Sequence, residues 1–258
     1  MRHMIGRIGV DFISHTAALD LIRGWMRESS QRTITTPNPE MVMMAEHDDA
    51  FAAVHAQADL SIADGAGLVW AARRLYGAKR EYPRLAGVDL MQAICETAAL
   101  EGWRIFLLGG TGTVTQRCQE VLEARFPGLQ VCGQNTDLYS SASAASIHSA
   151  IASCGRVDML FVAYGAPKQE TWIVQHLSSL PQVHVAMGVG GSFDYIAGSQ
   201  KRAPVWMRHI GLEWLFRLMR EPWRLKRMLA LPRFMLLVLK EQRKKSTMGQ
   251  SPKKELSK

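Results

Sequence analysis

The chain has 258 residues, 47% of them hydrophobic, which is enough to bury one α/β core without a second full domain. Its net charge of +8 is unevenly placed: residues 201–258 carry 16 Lys or Arg and 4 Asp or Glu, whereas residues 1–200 carry 15 and 19. The longest apolar stretch, 228–239, is interrupted by Pro232 and Arg233 and is shorter than the roughly 20 residues of a membrane-spanning helix. The composition therefore excludes a membrane-spanning helix, and the basic end predicts binding to nucleic acid, a membrane surface or a phosphorylated substrate.

Cysteine usage and the first residues indicate the cellular compartment. The four cysteines are widely spaced, with neither a CxxC pair nor neighbouring histidines, so the sequence predicts no zinc site and no disulfide framework. The first residues lack the apolar block of a signal peptide. We therefore expect a cytoplasmic protein.

Short apolar runs alternate with amphipathic segments after an irregular start at 5–13, the pattern of a sheet built by crossover helices. The expected strands are 33–36, 60–63, 104–108, 129–132, 159–163 and 184–187. The expected helices are 15–27, 39–58 with a break near 48, 67–76, 89–101, 113–125, 143–153 and 167–177. This order predicts an α/β fold with a Rossmann-like, mostly parallel sheet of about six strands and flanking helices.

The composition changes after residue 200, where tryptophans alternate with arginines. We predict a Rossmann-like catalytic core over 1–200, a basic amphipathic helical appendage that docks on a membrane over 201–245, and a disordered basic tail over 246–258. Tryptophan and leucine at helical spacing are more often core residues, and arginines usually form a solvated face, so this pattern taken alone favours a purely structural interpretation over a ligand surface.

Distinctive polar residues recur where the predicted strands end, which is the edge where ligands bind in such sheets. They are Thr36, Asn38, Asp64, the loop 109–113, Gln169, Glu170 and Asp194. Asp64 is suited either to accept a proton from a substrate hydroxyl or to cap the next helix, and capping is the favoured role of Asn38.

The loop GGTGT at 109–113 resembles a phosphate-binding turn, but a plain turn fits it equally well. It lacks the third glycine of GxGxxG, and no acidic residue ends the following strand, so a nicotinamide dinucleotide site is disfavoured; GxxxxGK[ST] is also absent. No Asp-x-Asp pair or metal-ligand spacing occurs. A departing diphosphate would therefore need cations from the chain, and Arg217, Arg224 and Arg227 are spaced to share a helical face.

Four stretches together resemble the WecG/TagA/CpsF family of bacterial glycosyltransferases, over about residues 8–243. They are TPNPEM at 36–41, ADGAG at 63–67, GAPKQETW at 165–172, and GVGGSFDYIAG at 188–198 continued by RAPVW, GLEWLFRL and EPWR.

The resemblance implies an inverting, metal-independent transfer of a sugar from a UDP-sugar to a polyprenyl-diphosphate-linked saccharide, in cell-surface or extracellular polysaccharide biosynthesis. It implies no metal or other cofactor. It also implies peripheral association with the anionic inner face of the cytoplasmic membrane, no nucleic-acid partner and, by analogy, a homodimer.

The same resemblance assigns roles to single residues. Asp64 matches the general base, and Thr36 and Gln169 lie near the donor sugar. The substrate-binding set is Asn38, Gly110, Thr111, Tyr139, Asp194, Arg217, Arg224 and Arg227. Tyr139 is expected to stack on uracil from a shifted position, since the family's aromatic follows the fifth strand next to a glycine.

Two other classes of function are open from the residues. One is a nucleotide-dependent oxidoreductase, against which the missing dinucleotide fingerprint argues. The other is a non-enzymatic module that binds membranes or nucleic acid through its basic end. The sequence does not specify the donor sugar or the acceptor glycan.

Overall fold

The computed structural model describes residues 2–137 and 139–248, without the side chains of Ser141, His209, Arg224, Lys226, Ser246 and Met248. Its strands are β1 (Arg2–Ile5), β2 (Ile8–Asp11), β3 (Arg32–Thr35), β4 (Leu60–Ser61), β5 (Arg104–Gly109), β6 (Gln130–Asn135), β7 (Val157–Ala163) and β8 (Val183–Gly188). Its α-helices are α1 (His15–Trp25), α2 (Pro39–Ala45), α3 (Asp49–Ala56), α4 (Ala66–Tyr76), α5 (Gly87–Glu101), α6 (Thr113–Arg125), α7 (Ala144–Ser153), α8 (Lys168–His176), α9 (Ser192–Ala197), α10 (Val205–His209), α11 (Glu213–Arg220), α12 (Leu225–Met228) and α13 (Ala230–Met248).

Strands β3 to β8 form one parallel sheet in the order β4-β3-β8-β7-β5-β6. The predicted six-stranded α/β fold is therefore confirmed. The last strand, β8, inserts between β3 and β7, so the loops that follow β4, β3, β8 and β7 lie side by side at one edge of the sheet. Ligands of open α/β sheets bind at this carboxyl edge.

Helices cover both faces of the sheet, which is why its strands are continuous apolar runs rather than alternating ones. In β7 every residue from Val157 to Val162 is buried. One face packs against α1, α5, α6 and α9, with Ile22 and Leu122 in that core cluster. The other face packs against α7 and α8, where Ile151 and Trp172 are buried.

The first residues form an antiparallel hairpin of β1 and β2, so the expected irregular start at 5–13 is wrong. Ile5, Ile8 and Val10 are fully buried in a third apolar cluster with α2, α3, α4 and α13. The hairpin turn needs glycine at residue 6, where φ is 55°. Burial against these helices stabilises two strands that are too short to persist alone.

Residues 201–248, the C-terminal segment, contain α10 to α13. Helix α13 packs against α2 and α4 through the buried side chains of Phe234 and Val238. It continues to Met248, past the boundary predicted at residue 245, and the rest of the predicted tail, 249–258, lies outside the described residues. Among the described helices, none has both the length and the apolarity needed to cross a bilayer.

Candidate active site

Thr36 and Asn38 follow β3 at the carboxyl edge. The Asn38 side-chain oxygen accepts a hydrogen bond from the Met41 backbone N–H at 3.1 Å and caps α2, with Pro39 at its first position. Asn38 as a whole is half-buried. Thr36 is buried and donates from its hydroxyl to the Gly188 carbonyl at 3.3 Å, which links the ends of β3 and β8.

Asp64 follows β4, and its backbone N–H donates to the Pro37 carbonyl at 3.0 Å. The Asp64 carboxyl group does not cap α4, which was one of its two possible roles. The N-cap of α4 is Gly65, with a φ of 97° and no side-chain capping bond. Among the described residues no donor forms a hydrogen bond to the Asp64 carboxyl group, which leaves its oxygens available to a substrate.

The surroundings of Asp64 favour a proton acceptor that works near neutral pH. Part of the side chain remains open to solvent, but the dense protein around the carboxyl group raises its pKa to about 6. The positive charge of Arg84 partly opposes this rise, whereas Glu213 adds to it. A carboxylate with a raised pKa is a stronger base toward a hydroxyl than an ordinary one.

A network of ion pairs beside Asp64 joins the core to the C-terminal segment. Arg84 donates to a Glu213 carboxylate oxygen at 2.5 Å, and Arg202 donates to the other oxygen at 3.3 Å. Arg202 also binds both carboxylate oxygens of Asp89. Burial opposes ionisation of Asp89, but the hydrogen bonds and charge of Arg202, together with the charges of Arg208 and Arg84, outweigh it and lower the pKa. The network fixes α11 next to the end of β4.

Sequence reasoning did not select these four residues, although three of them carry a signal. Arg84 ends the basic stretch 79–84, Arg202 opens the RAPVW stretch, and Glu213 lies in the GLEWLFRL stretch. Their proximity depends on a contact between residues 129 positions apart, which no local pattern reports.

Gln169 and Glu170 lie in the first turn of α8, and both are buried. The Gln169 side-chain oxygen accepts from the backbone N–H groups of Gly165 at 3.0 Å and Gly190 at 2.9 Å, and its amide donates to Glu170 at 2.7 Å. Gln169 therefore ties the loop after β7 to the loop after β8. Burial raises the pKa of Glu170 to about 7, and the hydrogen bond from Gln169 partly opposes that rise.

The glycine-rich turn after β8 lies against Arg217. A Cβ built on Gly191 would stand 3.2 Å from an Nη atom of Arg217 and 3.9 Å from a carboxylate oxygen of Asp194. The guanidinium group also lies over the Tyr195 ring, 5.4 Å from its centre, and its Nε is 3.7 Å from Glu221. Helix α11 thus brings a cation to the polar edge of the sheet, at a turn small enough for close approach of a ligand.

Arg227 reaches a different part of the edge, because it binds both carboxylate oxygens of Glu40 at 2.6 and 2.9 Å. Glu40 lies in the first turn of α2, two residues after the Asn38 cap. The backbone of Arg224 lies in a 3₁₀ turn at Pro222–Arg224, and its side chain falls outside the described residues. The structure therefore places two of the three predicted arginines at the edge, on separate contacts.

The loop 109–113 forms the turn between β5 and α6. The Thr115 hydroxyl donates to the Gly109 carbonyl at 2.7 Å, and Gly110 has a φ of 79°. Thr111 is exposed, and no side chain caps α6, which begins after Gly112. The Val114 N–H already donates to the Thr111 carbonyl at 2.8 Å, and the other N–H groups of the first turn can face an anion.

Tyr139 lies on the side of the edge formed by β6 and β7. Its hydroxyl donates to Gln175 at 3.1 Å, and its ring centre is 5.9 Å from that of Tyr164. Tyr164, which follows β7 directly, packs against Gly109: a Cβ there would stand 3.0 Å from its ring. Two aromatic rings therefore flank this end of the site, and the sequence reasoning had selected only Tyr139.

In the part of the chain that the structure describes, no group of three or more His, Cys, Asp or Glu side chains is placed to hold a metal ion. The carboxyl edge instead combines an unengaged carboxyl group, the N-terminus of α6 without a side-chain cap, and guanidinium groups. This arrangement can bind a phosphorylated ligand and remove a proton from a neighbouring hydroxyl.

The comparison with known families fits this geometry. The model of the glycosyl transferase WecG/TagA/CpsF family matches residues 3–248. The chain belongs to the WecG/TagA/CpsF family. The predicted activity is thereby confirmed: the chain is a glycosyltransferase, which sets aside the oxidoreductase and the non-enzymatic module.

Curated relatives of this WecG/TagA/CpsF glycosyltransferase match along most of their length. A Bacillus subtilis (strain 168) protein is 34% identical over 225 residues, 87% of this chain and 86% of that protein. A Bacillus spizizenii protein is 35% identical over 234 residues, which are 90% of this chain and 86% of that protein. One from Staphylococcus aureus (strain MW2) is 32% identical over 244 residues, 92% of each chain. All three are named N-acetylglucosaminyldiphosphoundecaprenol N-acetyl-beta-D-mannosaminyltransferase.

Proposed function

We propose that this glycosyltransferase moves N-acetylmannosamine from a UDP-linked donor to N-acetylglucosamine carried on a polyprenyl diphosphate, with inversion and without a metal ion. The names of the three relatives support the sugar and the acceptor. The observation that carries the mechanism is the Asp64 carboxyl group, which accepts no hydrogen bond from the described residues and has a pKa of about 6.

Asp64 removes the proton from the acceptor hydroxyl while that oxygen forms a bond to the anomeric carbon of the donor sugar. The bond between the anomeric carbon and the UDP oxygen breaks, and UDP leaves with the electron pair. One displacement on the face opposite the leaving group inverts the anomeric configuration. Holding both substrates in line supplies much of the rate enhancement.

Negative charge develops on the diphosphate as UDP departs, and it must be stabilised. Arg217, held at the glycine-rich turn, and Arg227, at the first turn of α2, are the described cations at this edge that support the assignment. We assign Arg224 to the same task from the sequence alone. In this proposal the guanidinium groups take the place of a divalent cation.

The remaining assignments place the donor along the same edge. Thr36 and Gln169 lie against the ends of β3 and β8, where the donor sugar is proposed to sit. Asn38, Asp194, Gly110 and Thr111 are assigned to the nucleotide. Tyr139 is assigned to the uracil ring, with Tyr164 beside it.

We further propose that the C-terminal segment docks on an anionic membrane surface, where the lipid-linked acceptor resides. Support comes from exposed Trp206, Trp214 and Trp223, which are interleaved with arginines. Apolar side chains inserted at the headgroup level and cations on anionic lipid act together in such binding. Flotation with anionic and neutral vesicles tests this part separately, and equal binding to both would contradict it.

A panel of UDP-sugars tests the reaction, each offered with N-acetylglucosamine linked through diphosphate to a short prenyl chain. We expect transfer from UDP-N-acetylmannosamine, no loss of rate after chelation of divalent cations, and a product whose anomeric configuration is opposite to that of the donor by NMR. Transfer only from other donors would refute the sugar assignment. Retention of configuration would refute single displacement.

A further inference from the structure

A cavity of about 570 Å³ lies beside Asp64, between the core and the C-terminal segment, and none of the roles assigned above uses it. Its walls come from α4, the stretch that leads into α5, and α10. The volume is within the usual range for a small-molecule site.

The cavity connects to the reacting edge through Asp64. Ala66, two residues after Asp64, lines it, and Gly211 packs against Ala66 so closely that a Cβ on Gly211 would clash with it. Arg84 and Arg202, whose charges act on the Asp64 carboxyl group, line it as well. A ligand in the cavity would therefore lie next to the proposed base.

The positively charged lining of the cavity favours an anionic ligand. Four arginines line it, with Asp89 as the only carboxylate among its lining residues in the described chain. Asp89 and neighbouring Glu213 bind Arg84 and Arg202. Neither Arg73 nor Arg208 forms an ion pair among the described residues, although the charge of Arg208 acts on Asp89 to lower its pKa and the Arg208 Nε donates to the Ala203 carbonyl at 3.1 Å. The Arg73 guanidinium and the Nη groups of Arg208 are therefore the donors that can bind a diphosphate.

Two further features of the cavity indicate a ligand that is more than a simple anion. Trp70 contributes aromatic surface to the wall beside the nearly buried Tyr82, and flat aromatic surface suits the apolar face of a sugar ring. The Arg74 guanidinium lies 5.9 Å from the Trp70 ring centre and adds a cation at this wall. At the rim, Val205 and Ile210 are 57% and 61% exposed, an apolar surface unusual beside so many charges. The cavity therefore combines a cationic, an aromatic and an apolar part.

We infer that this cavity binds the acceptor, with its diphosphate on Arg73 and Arg208, its sugar against Trp70 and its first isoprene units over Val205 and Ile210. The inference rests on the proposed function. Under this inference the enzyme has two separate diphosphate sites. The donor diphosphate binds at the glycine-rich turn with Arg217, and the acceptor diphosphate binds in the cavity. Helix α11 lies between them, since Glu213 faces the cavity arginines and Arg217, one turn later, faces Gly191.

Steady-state kinetics on R73E test the inference, with each substrate varied in turn and the short-prenyl diphosphate N-acetylglucosamine as acceptor. Arg73 is exposed, so its replacement should leave the fold intact. We expect the acceptor KM to rise at least tenfold, as for loss of a charge-assisted contact, while the donor KM stays within twofold. R117E on α6 is the matched control, because it changes the net charge equally at an exposed site outside the cavity.

A second pair of variants separates the sugar contact from the diphosphate contact. W70F keeps an aromatic ring and should retain the acceptor KM, whereas W70L should raise it. Inhibition by short prenyl diphosphate without the sugar should weaken in R73E and stay unchanged in W70L. An unchanged acceptor KM in R73E, an equal rise in R117E, or a rise confined to the donor KM would overturn the inference.

Failure of the proposed function gives a different result. If the unmodified enzyme transfers no sugar from any UDP donor to this acceptor, the proposed reaction is wrong. Calorimetric binding of the same acceptor to the unmodified enzyme and to R73E still tests the cavity in that case. Equal affinity of the two proteins would refute it, and weaker binding by R73E would support it.

Discussion

The core (2–200) and the C-terminal segment (201–248) place their apolar side chains in opposite ways. In the core the strands and the facing helices bury them almost completely. Of the fourteen large apolar residues that are exposed in the described chain, eleven lie in the C-terminal segment. Exposed apolar surface on this scale is typical of an interaction surface.

The two regions also differ in how they are held. Hydrophobic burial on both faces of the sheet stabilises the core. The C-terminal segment attaches through Phe234 and Val238 and through ion pairs that involve Glu213 and Arg227. The difference supports the proposed division of labour, in which the core is assigned the chemistry and the attached segment is assigned the cations and the lipid-binding surface.

The sharpest test of this division is Asp64→Asn, which removes the proposed base from the core and keeps its shape. We expect transfer to fall by about 10²–10⁴-fold, with UDP binding and vesicle binding unchanged. Rates with saturating substrates and calorimetric UDP titration measure these effects. Asp20→Asn, on the exposed surface of α1, is the control and should be fully active. If Asp64→Asn turned over at the normal rate, the base would have to be a residue other than Asp64.

Phe234→Ala tests the attachment of the C-terminal segment. The side chain is 1% exposed, so its truncation should weaken the packing of α13 by about 3–5 kcal/mol. Hydrogen exchange should show loss of protection in α13 while β7 stays protected. Leu236→Ala, at a position that is 67% exposed, should change stability by no more than about 0.5 kcal/mol. Equal loss of protection in both regions would show that they unfold as one unit.

Arg217→Ala tests whether the C-terminal segment supplies charge to the reaction. Loss of one charge-assisted contact to the departing diphosphate should lower the transfer rate by roughly 10–100-fold, without weakening binding to vesicles. Arg220→Ala, three residues further on and exposed, should keep the rate. A rate for Arg217→Ala equal to that of Arg220→Ala would contradict the proposed role.

Among these tests, we expect the smallest change in rate for a shift of one pH unit. Because the raised pKa of Asp64 means that its carboxyl is mostly protonated below about pH 6, kcat/KM should fall about tenfold for each pH unit below that value and level off above it. Glu170 has a pKa of about 7, so Glu170→Gln is the control that shows whether its titration contributes. A profile flat between pH 4 and 7 would exclude Asp64 as the base.

Much of the fold followed from the sequence because its signals are local. The apolar runs from β3 to β8 and the Asn38-Pro39 helix start each depend on a few neighbouring residues. The hairpin of β1 and β2 was missed because its strands have four residues each, and they are stabilised by α2 and α13 rather than by their own pattern.

The position of Asp64 at the carboxyl edge was determined by the sequence alone, because the alternation of strands and helices leaves the end of each strand at one side of the sheet. Its unengaged carboxyl and its raised pKa were decided by the tertiary structure. The pKa is raised chiefly by burial of the carboxyl group; the charge of Arg84 partly opposes that rise and the charge of Glu213 adds to it, and these two residues are 129 positions apart in the chain. The same holds for the cavity beside it, since segments distant along the chain form its walls and only folding brings their charges and aromatic rings together.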